Sequence, residues 1–212
     1  MDKSLKMIED EARKRGIPLM LDDGMDFMLD YIYKNNVKSI LEIGSAIGWS
    51  SMKMALVSSD ISVVTIEKDI DRYNEALCNI NDMNLGSRIS IYNMDACEFE
   101  TDKKFDLIFI DASKGKNKLF FEKFCNNLTE KGVIITDNLS FHGLVQNDSL
   151  IKTKNQRGLV NKIKDYISFL ENNGIFDDKD NACSGTIYAY KYNNGSYTDI
   201  KIYIPDETCE VK

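Results

Sequence analysis

From Val37 onward, short runs rich in Ile, Val, Leu and Phe alternate with longer polar stretches of helical period. This alternation restricts the fold more than any other feature. It marks repeated βα units, which return the chain to the same end of a sheet and so lay successive strands parallel. The pattern predicts strands near Ser39–Ile43, Ser62–Ile66, Ile89–Tyr92, Leu107–Ile110 and Val133–Thr136. Helices are predicted near Ser50–Ser58, Asp69–Asn84 and Lys116–Asn127, and another over Gln156–Asn172. Two more, Lys3–Arg15 and Asp23–Tyr33, flank the Ile17-Pro18 break. The tail is different: aromatic, alternating segments on either side of Asn194-Gly195 predict an antiparallel hairpin that closes the sheet at one edge.

With 212 residues, 43% of them hydrophobic, the chain is expected to build one domain, and no composition shift marks a boundary. Its apolar runs are strand-length, well short of the ~20 residues that cross a bilayer, and its first residues lack an apolar signal core. A cytoplasmic protein is expected. The five cysteines are scattered without Cys-x-x-Cys spacing, which suits reduced thiols. A net charge of −7 argues against coating nucleic acid by bulk electrostatics, yet allows a local basic patch.

Residues 41–50 read LEIGSAIGWS, and Gly44 and Gly48 fall between a buried-strand pattern and a helix pattern, where the chain must turn and let a ligand approach its backbone. The spacing is neither Gly-x-Gly-x-x-Gly nor a phosphate loop with its Lys-Ser/Thr. A glycine turn alone is also what any βα connection uses. Glu42 before the loop, Ser45 within it, Glu67 at the end of the second strand and Asp95-Ala96 after the third add acidic and polar groups where an α/β nucleotide fold binds ribose and base. So acidic and lysine-poor a set suits a cofactor bearing adenosine without phosphates; S-adenosylmethionine, a sulfonium cation, fits it better than NAD or ATP.

Two later strands end in acids. Residues 109–115 read FIDASKG and residues 132–145 read GVIITDNLSFHGLV, placing Asp111, Asp137 and Asn138 at strand carboxyl ends, which line the crevice of an open α/β sheet. Strand-end aspartates also cap helices. Together, two carboxylates and an amide oxygen suit magnesium, which takes oxygen ligands and keeps positions open for water or substrate. One histidine and scattered cysteines do not supply a zinc set. Lys114, three residues past Asp111, is placed to reach a substrate oxygen as general base, whereas Lys116 and Lys118 read as solvated charges. Trp49 and Phe141 are expected as walls, with His142 a loop residue or a contact to a flat ring.

These three motifs, in order and spacing, resemble the metal-dependent, catechol-type O-methyltransferases. Among them the similarity looks nearest to the bacterial enzymes that methylate 5-hydroxyuridine at the tRNA wobble position. The resemblance implies a doubly wound, mostly parallel Rossmann-like sheet with an antiparallel C-terminal hairpin, residues 1–35 covering the cofactor and substrate side. It implies S-adenosylmethionine held by Met20, Ser50, Glu67, Asp95 and Ala96, beside Glu42, Gly44, Ser45 and Gly48. It also implies magnesium on Asp111, Asp137 and Asn138, and Lys114 as catalytic lysine, with Asp111 where metal, cofactor and reacting groups meet. A homodimer is implied as well. The acceptor is then tRNA or a small catechol or phenol, each offering two neighbouring oxygens. For tRNA, the basic residues Lys152, Lys154, Arg157, Lys162 and Lys164 are the candidates to hold phosphates.

Overall fold

The computed structural model describes residues 4–137, 139, 141 and 143–172, with backbone alone for Asp23, residues 171–172, Gly185–Lys191 and Tyr197–Pro205. Asn138 and His142 lie outside the described residues. The elements run α1 (Leu5–Lys14), α2 (Asp22–Lys34), β1 (Ser39–Ile43), α3 (Trp49–Leu56), β2 (Ser62–Glu67), α4 (Ile70–Asp82) and β3 (Ile89–Asn93). Then follow β4 (Phe105–Ile110), a 3-10 turn (Lys114–Lys116), α5 (Asn117–Phe124), β5 (Leu128–Thr136) and α6 (Lys154–Asn172).

Five strands form a parallel sheet in the order β3-β2-β1-β4-β5. Strand order reverses between β1 and β4, and a crevice opens at such a switch point beyond the carboxyl ends of the strands. The register sets what lines it. Ile43 pairs with Ile66 on one side and Ile110 on the other, and Ile110 pairs with Thr136. Gly44, Asp111 and Asp137 each come one residue later, at the same level. The ladder continues through them, with the Gly44 N–H donating to Ile66 O (3.0 Å), Asp111 N–H to Ile43 O (3.0 Å) and Asp137 N–H to Ile110 O (3.2 Å).

Alternation along the strands builds the two faces. Ile40, Leu107, Phe109 and Ile135 pack with Met25, Met28 and Met52 from α2 and α3. Leu41, Ile43, Ile108 and Ile110 pack with Phe120, Phe121 and Phe124 of α5 and with Ile163 and Tyr166 of α6. Each face therefore has its own core, as a doubly wound sheet requires. No helix among the described residues is long and apolar enough to cross a membrane.

Several boundaries differ from the sequence pattern. The helix expected over Lys116–Asn127 is split into the 3-10 turn, α5 and a second 3-10 turn, Cys125–Asn127. Strand β5 begins five residues before Val133, through the polar stretch Thr129–Lys131, because Leu128 pairs with Phe105 ahead of a register shift. Helix ends follow capping. The Asp69 side chain accepts from the N–H groups of Asp71 and Arg72, both at 3.0 Å. At α6, Thr153 Oγ1 accepts from Gln156 N–H (3.1 Å) while Gln156 Oε1 accepts from Thr153 N–H (3.1 Å), a reciprocal capping box that starts the helix earlier than its apolar pattern indicates.

Candidate active site

A cavity of about 560 Å³ lies over the switch point. Its floor is Gly44 and Ala46 after β1 with Glu67 at the end of β2, and Asp95-Ala96 extend it past β3. The far side is Asp111, Lys114 and Asp137, after β4 and β5. Pro18–Met20, between α1 and α2, close it from above, which gives the buried Met20 a place in the wall. The register brings six of the residues expected from strand ends, Gly44, Glu67, Asp95, Ala96, Asp111 and Asp137, into one space.

Gly44 is required here. Its φ is +97°, and a Cβ would lie 2.7 Å from the Asp111 carbonyl oxygen. Because β1 and β4 leave no room for a side chain, the loop and Asp111 sit in contact. Glu67 braces the same loop: its carboxylate accepts from Ala46 N–H and from Asp69 N–H, both at 2.8 Å. It thereby joins the β1 loop to the start of α4 while facing the cavity.

The acceptor-side residues are linked by one lysine. Lys114 Nζ donates to Asp111 Oδ1 at 2.8 Å and to the Asp137 backbone carbonyl at 3.2 Å. Its side chain is only 12% exposed. That bond uses one of the two Asp111 carboxylate oxygens. Two cavity-lining carboxylates at the ends of adjacent strands are hard oxygen donors, so the residues present fit a hard divalent cation. Among the described residues no group of three or more His, Cys, Asp or Glu gathers as a metal site. The third expected ligand, Asn138, lies outside them.

On the opposite side, Asp95 accepts from Lys68 Nζ (2.8 Å), Lys116 Nζ (3.1 Å) and Cys97 N–H (3.0 Å). The Lys68 ammonium first, then the Cys97 and Lys116 contacts, hold its carboxyl far below the usual carboxylate range. The structure corrects the expectation of a lysine-poor pocket. Lys68, Arg72, Lys114 and Lys116 line the cavity together with Glu67, Asp95, Asp111 and Asp137. Lys114 is drawn onto Asp111 from three residues away, whereas Lys68 and Lys116 reach Asp95 across 27 and 21 residues, so acids counted alone overstate the net charge. Lys116, expected as a solvated charge, is one of them; Lys118 is exposed as expected, 3.6 Å from Glu122.

Other expected residues stand elsewhere. Glu42 does not reach the cavity: it is fully buried on the α3 face of β1, and its carboxylate accepts from Ser50 Oγ (2.5 Å), Ser51 Oγ and Thr65 Oγ1 (2.6 Å). Strand alternation explains this, since Glu42 points opposite to Leu41 and Ile43. The Ser50 hydroxyl donates to Glu42, and Ser50 is not among the residues lining the cavity. Gly48, at φ +80°, is the N-cap of α3, where a Cβ would lie 3.3 Å from Ala76 of α4. Ser45 is buried behind the cavity lining, and its hydroxyl finds no hydrogen-bond partner. Trp49 is enclosed in the core with Lys53 Nζ 4.5 Å from its ring centre, whereas Phe141 packs at the edge of the α5–α6 core. Lys152, Lys154 and Arg157 are exposed on and before α6, outside the cavity lining. Lys162 is exposed too, and Lys164 is paired with Asp148 at 2.8 Å.

Comparison with known proteins adds the family. A model of the O-methyltransferase family matches residues 5–171. A caffeoyl-CoA O-methyltransferase of Populus kitakamiensis is 27% identical over 157 residues, which is 68% of this chain and 66% of that protein's length. The crystal structure of a presumed caffeoyl-CoA O-methyltransferase from Staphylococcus aureus is 32% identical, with a TM-score of 0.84, over 96% of this chain and 93% of that one. An O-methyltransferase from Bacillus cereus, crystallised with S-adenosylhomocysteine, shares the fold at 24% identity and a TM-score of 0.74, over 95% and 90% of the two chains. These relatives carry caffeoyl-CoA and general O-methyltransferase names, and the narrower likeness to the tRNA enzymes gains nothing from them. With the family pattern running from α1 to the end of α6 over the Rossmann-like sheet just described, the chain belongs to the O-methyltransferase family and is a methyltransferase enzyme.

Proposed function

We propose that this protein transfers the methyl group of S-adenosylmethionine to a hydroxyl of a small catechol-like acceptor, assisted by a divalent cation such as magnesium. The observation that carries this reading is the meeting of two half-sites in one cavity, Glu67 and Asp95-Ala96 on one side and Asp111, Lys114 and Asp137 on the other. The cofactor is supported by the S-adenosylhomocysteine complex of the Bacillus cereus relative and by the S-adenosylmethionine complex of a Streptomyces achromogenes O-methyltransferase of the same fold. A small phenolic acceptor is supported by the caffeoyl-CoA names of the Populus and Staphylococcus relatives, a caffeoyl group bearing two adjacent hydroxyls.

Glu67, held by two backbone N–H groups, keeps its remaining lone pairs for the ribose hydroxyls, and Asp95-Ala96 bound the adenine. Met20 covers the methyl-bearing end. Asp111, Asp137 and Asn138 would hold the cation, which when bound lowers the pKa of an acceptor hydroxyl and fixes two neighbouring oxygens. Lys114 reaches both acidic strand ends, and in its neutral amine form its Nζ takes the hydroxyl proton and becomes the ammonium that pairs with Asp111. Closure by Pro18–Met20 excludes water and keeps the oxygen in line with the methyl group. The proposal extends to the whole chain as one domain, acting as a homodimer, with its sheet closed by an antiparallel hairpin. The backbone of Tyr197–Pro205 pairing against β5, and of Gly185–Lys191 against Tyr197–Pro205, supports that hairpin.

A tRNA acceptor is the second reading, favoured by the exposed cations Lys152, just before α6, and Lys154, Arg157 and Lys162 in its first half. Purified protein given methyl-labelled S-adenosylmethionine, magnesium and either 3,4-dihydroxybenzoate or tRNA containing 5-hydroxyuridine separates the two. The proposal expects label in the catechol. Label in tRNA alone overturns the small-molecule acceptor.

A further inference from the structure

One short turn spans the cavity. The 3-10 turn Lys114–Lys116 leaves β4 through Asp111–Ser113 and is closed by the Lys116 N–H donating to Ser113 O at 2.8 Å. Its two lysines point to opposite half-sites. Lys114 Nζ bonds Asp111 and the Asp137 carbonyl, on the acceptor side. Lys116 Nζ bonds the Asp95 carboxylate (3.1 and 3.5 Å) and lies 3.3 Å from Cys97 Sγ, on the adenosine side. The Asp95 side chain is 18% exposed and that of Lys116 40%, so the pair is anchored on a mostly enclosed carboxylate while the lysine stem stays partly in solvent. Beneath the turn, a Cβ on Gly115 would lie 3.4 Å from the Lys162 side chain and 3.5 Å from Leu159, both on α6. The turn is therefore held from below by packing and at its two ends by ammonium groups.

A second lysine on the same carboxylate provides an internal comparison. Lys68 bonds Asp95 at 2.8 Å but belongs to the segment after β2 and has no part in the turn. Removing Lys68 weakens the charge support of Asp95 and changes the cavity wall beside it, but leaves the turn's own contacts in place. Removing Lys116 weakens that support and also releases one end of the turn that carries Lys114.

We propose that Lys116 is a positioning residue that ties the Lys114 turn to the adenosine wall, so that filling the adenosine side of the cavity orders the turn on the acceptor side. The inference rests on the S-adenosyl cofactor reading and goes beyond it by coupling the two half-sites through a named side chain. When a ligand occupies the adenosine side, Asp95 is fixed between ligand and lysines. Lys116 passes that restraint to its own backbone, two residues from Lys114. The coupling is an ordering of one turn, with no change of fold.

The test uses the whole chain, S-adenosylhomocysteine as probe, calorimetry for affinity and amide hydrogen exchange by mass spectrometry for the turn. In the wild type, saturating S-adenosylhomocysteine is expected to slow exchange both at residues 95–97 and across 113–117. Lys116→Met is expected to bind the probe at least fivefold more weakly and, once saturated, to protect 95–97 without protecting 113–117. Lys116→Arg, which keeps the cation, should restore most of that protection. Lys68→Met should weaken binding while retaining protection at 113–117. Full protection of 113–117 in saturated Lys116→Met, or its equal loss in Lys68→Met, overturns the coupling while the cofactor reading stands. A wild type that does not bind the probe overturns both.

Discussion

Burying Glu42 costs stability only when it is charged. Enclosure pushes its carboxyl up from 4.5 to about 7; the hydroxyls of Ser50, Ser51 and Thr65 pull the other way, and the nearby negative charge of Asp111 adds to the rise. The folded protein keeps a proton that the unfolded chain releases above about pH 4.5. This group's contribution is thus most favourable below that pH, is lost as pH rises, and leaves the full cost above about pH 7. Glu42→Gln mimics the protonated form. Relative to the wild type it should gain on the order of 3 kcal/mol between pH 4 and pH 8. Urea unfolding at several pH values measures this, and parallel stability profiles would contradict it. Gly44 makes the opposite kind of prediction: Gly44→Ala forces a Cβ against the Asp111 carbonyl at positive φ and should cost about 2 kcal/mol or more in thermal unfolding. At this scale the sequence is legible where a residue follows a strand directly, as with Asp111 and Asp137. It misleads at Glu42, whose orientation depends on which strand face it occupies, and at Lys116, whose partner Asp95 lies 21 residues away and whose spacing carries no signal.

Among elements, the five parallel strands are the part most readily read from sequence, because runs such as Leu107–Ile110 are buried on both faces and need apolar residues at every position. The polar start of β5 is not readable, since Thr129–Lys131 join the strand only through the pairing of Leu128 with Phe105. The break before α5 is also tertiary in origin: the 3-10 turn is held between Asp95, Asp111 and α6, none of which is local. Helix α6 offers a clean test of a local device. Thr153 and Gln156 satisfy each other's backbone N–H groups, so Thr153→Ala should lower stability by about 1 kcal/mol, seen as a shift of the urea midpoint with unchanged slope. A midpoint equal to the wild type's would show the cap to be idle.

For the molecule as a whole, parallel register converts separate strand-end motifs into one site. Ile43, Ile66, Ile110 and Thr136 lie at one level, so the residues after them meet without long loops. The family follows from the pattern as a whole, which runs from α1 to the end of α6. In the proposed function Asp111 and Asp137 act at the acceptor end of the cavity and not in its scaffold. The most direct measurement follows deuterated methyl transfer from S-adenosylmethionine to 3,4-dihydroxybenzoate with magnesium, in the wild type and in Asp111→Ala and Asp137→Ala. Calorimetry with S-adenosylhomocysteine confirms that each variant still binds it. Label is expected on a phenolic oxygen in the wild type, with a loss of at least a hundredfold in kcat in both variants and probe binding retained. Transfer by either variant at the wild-type rate would contradict that role.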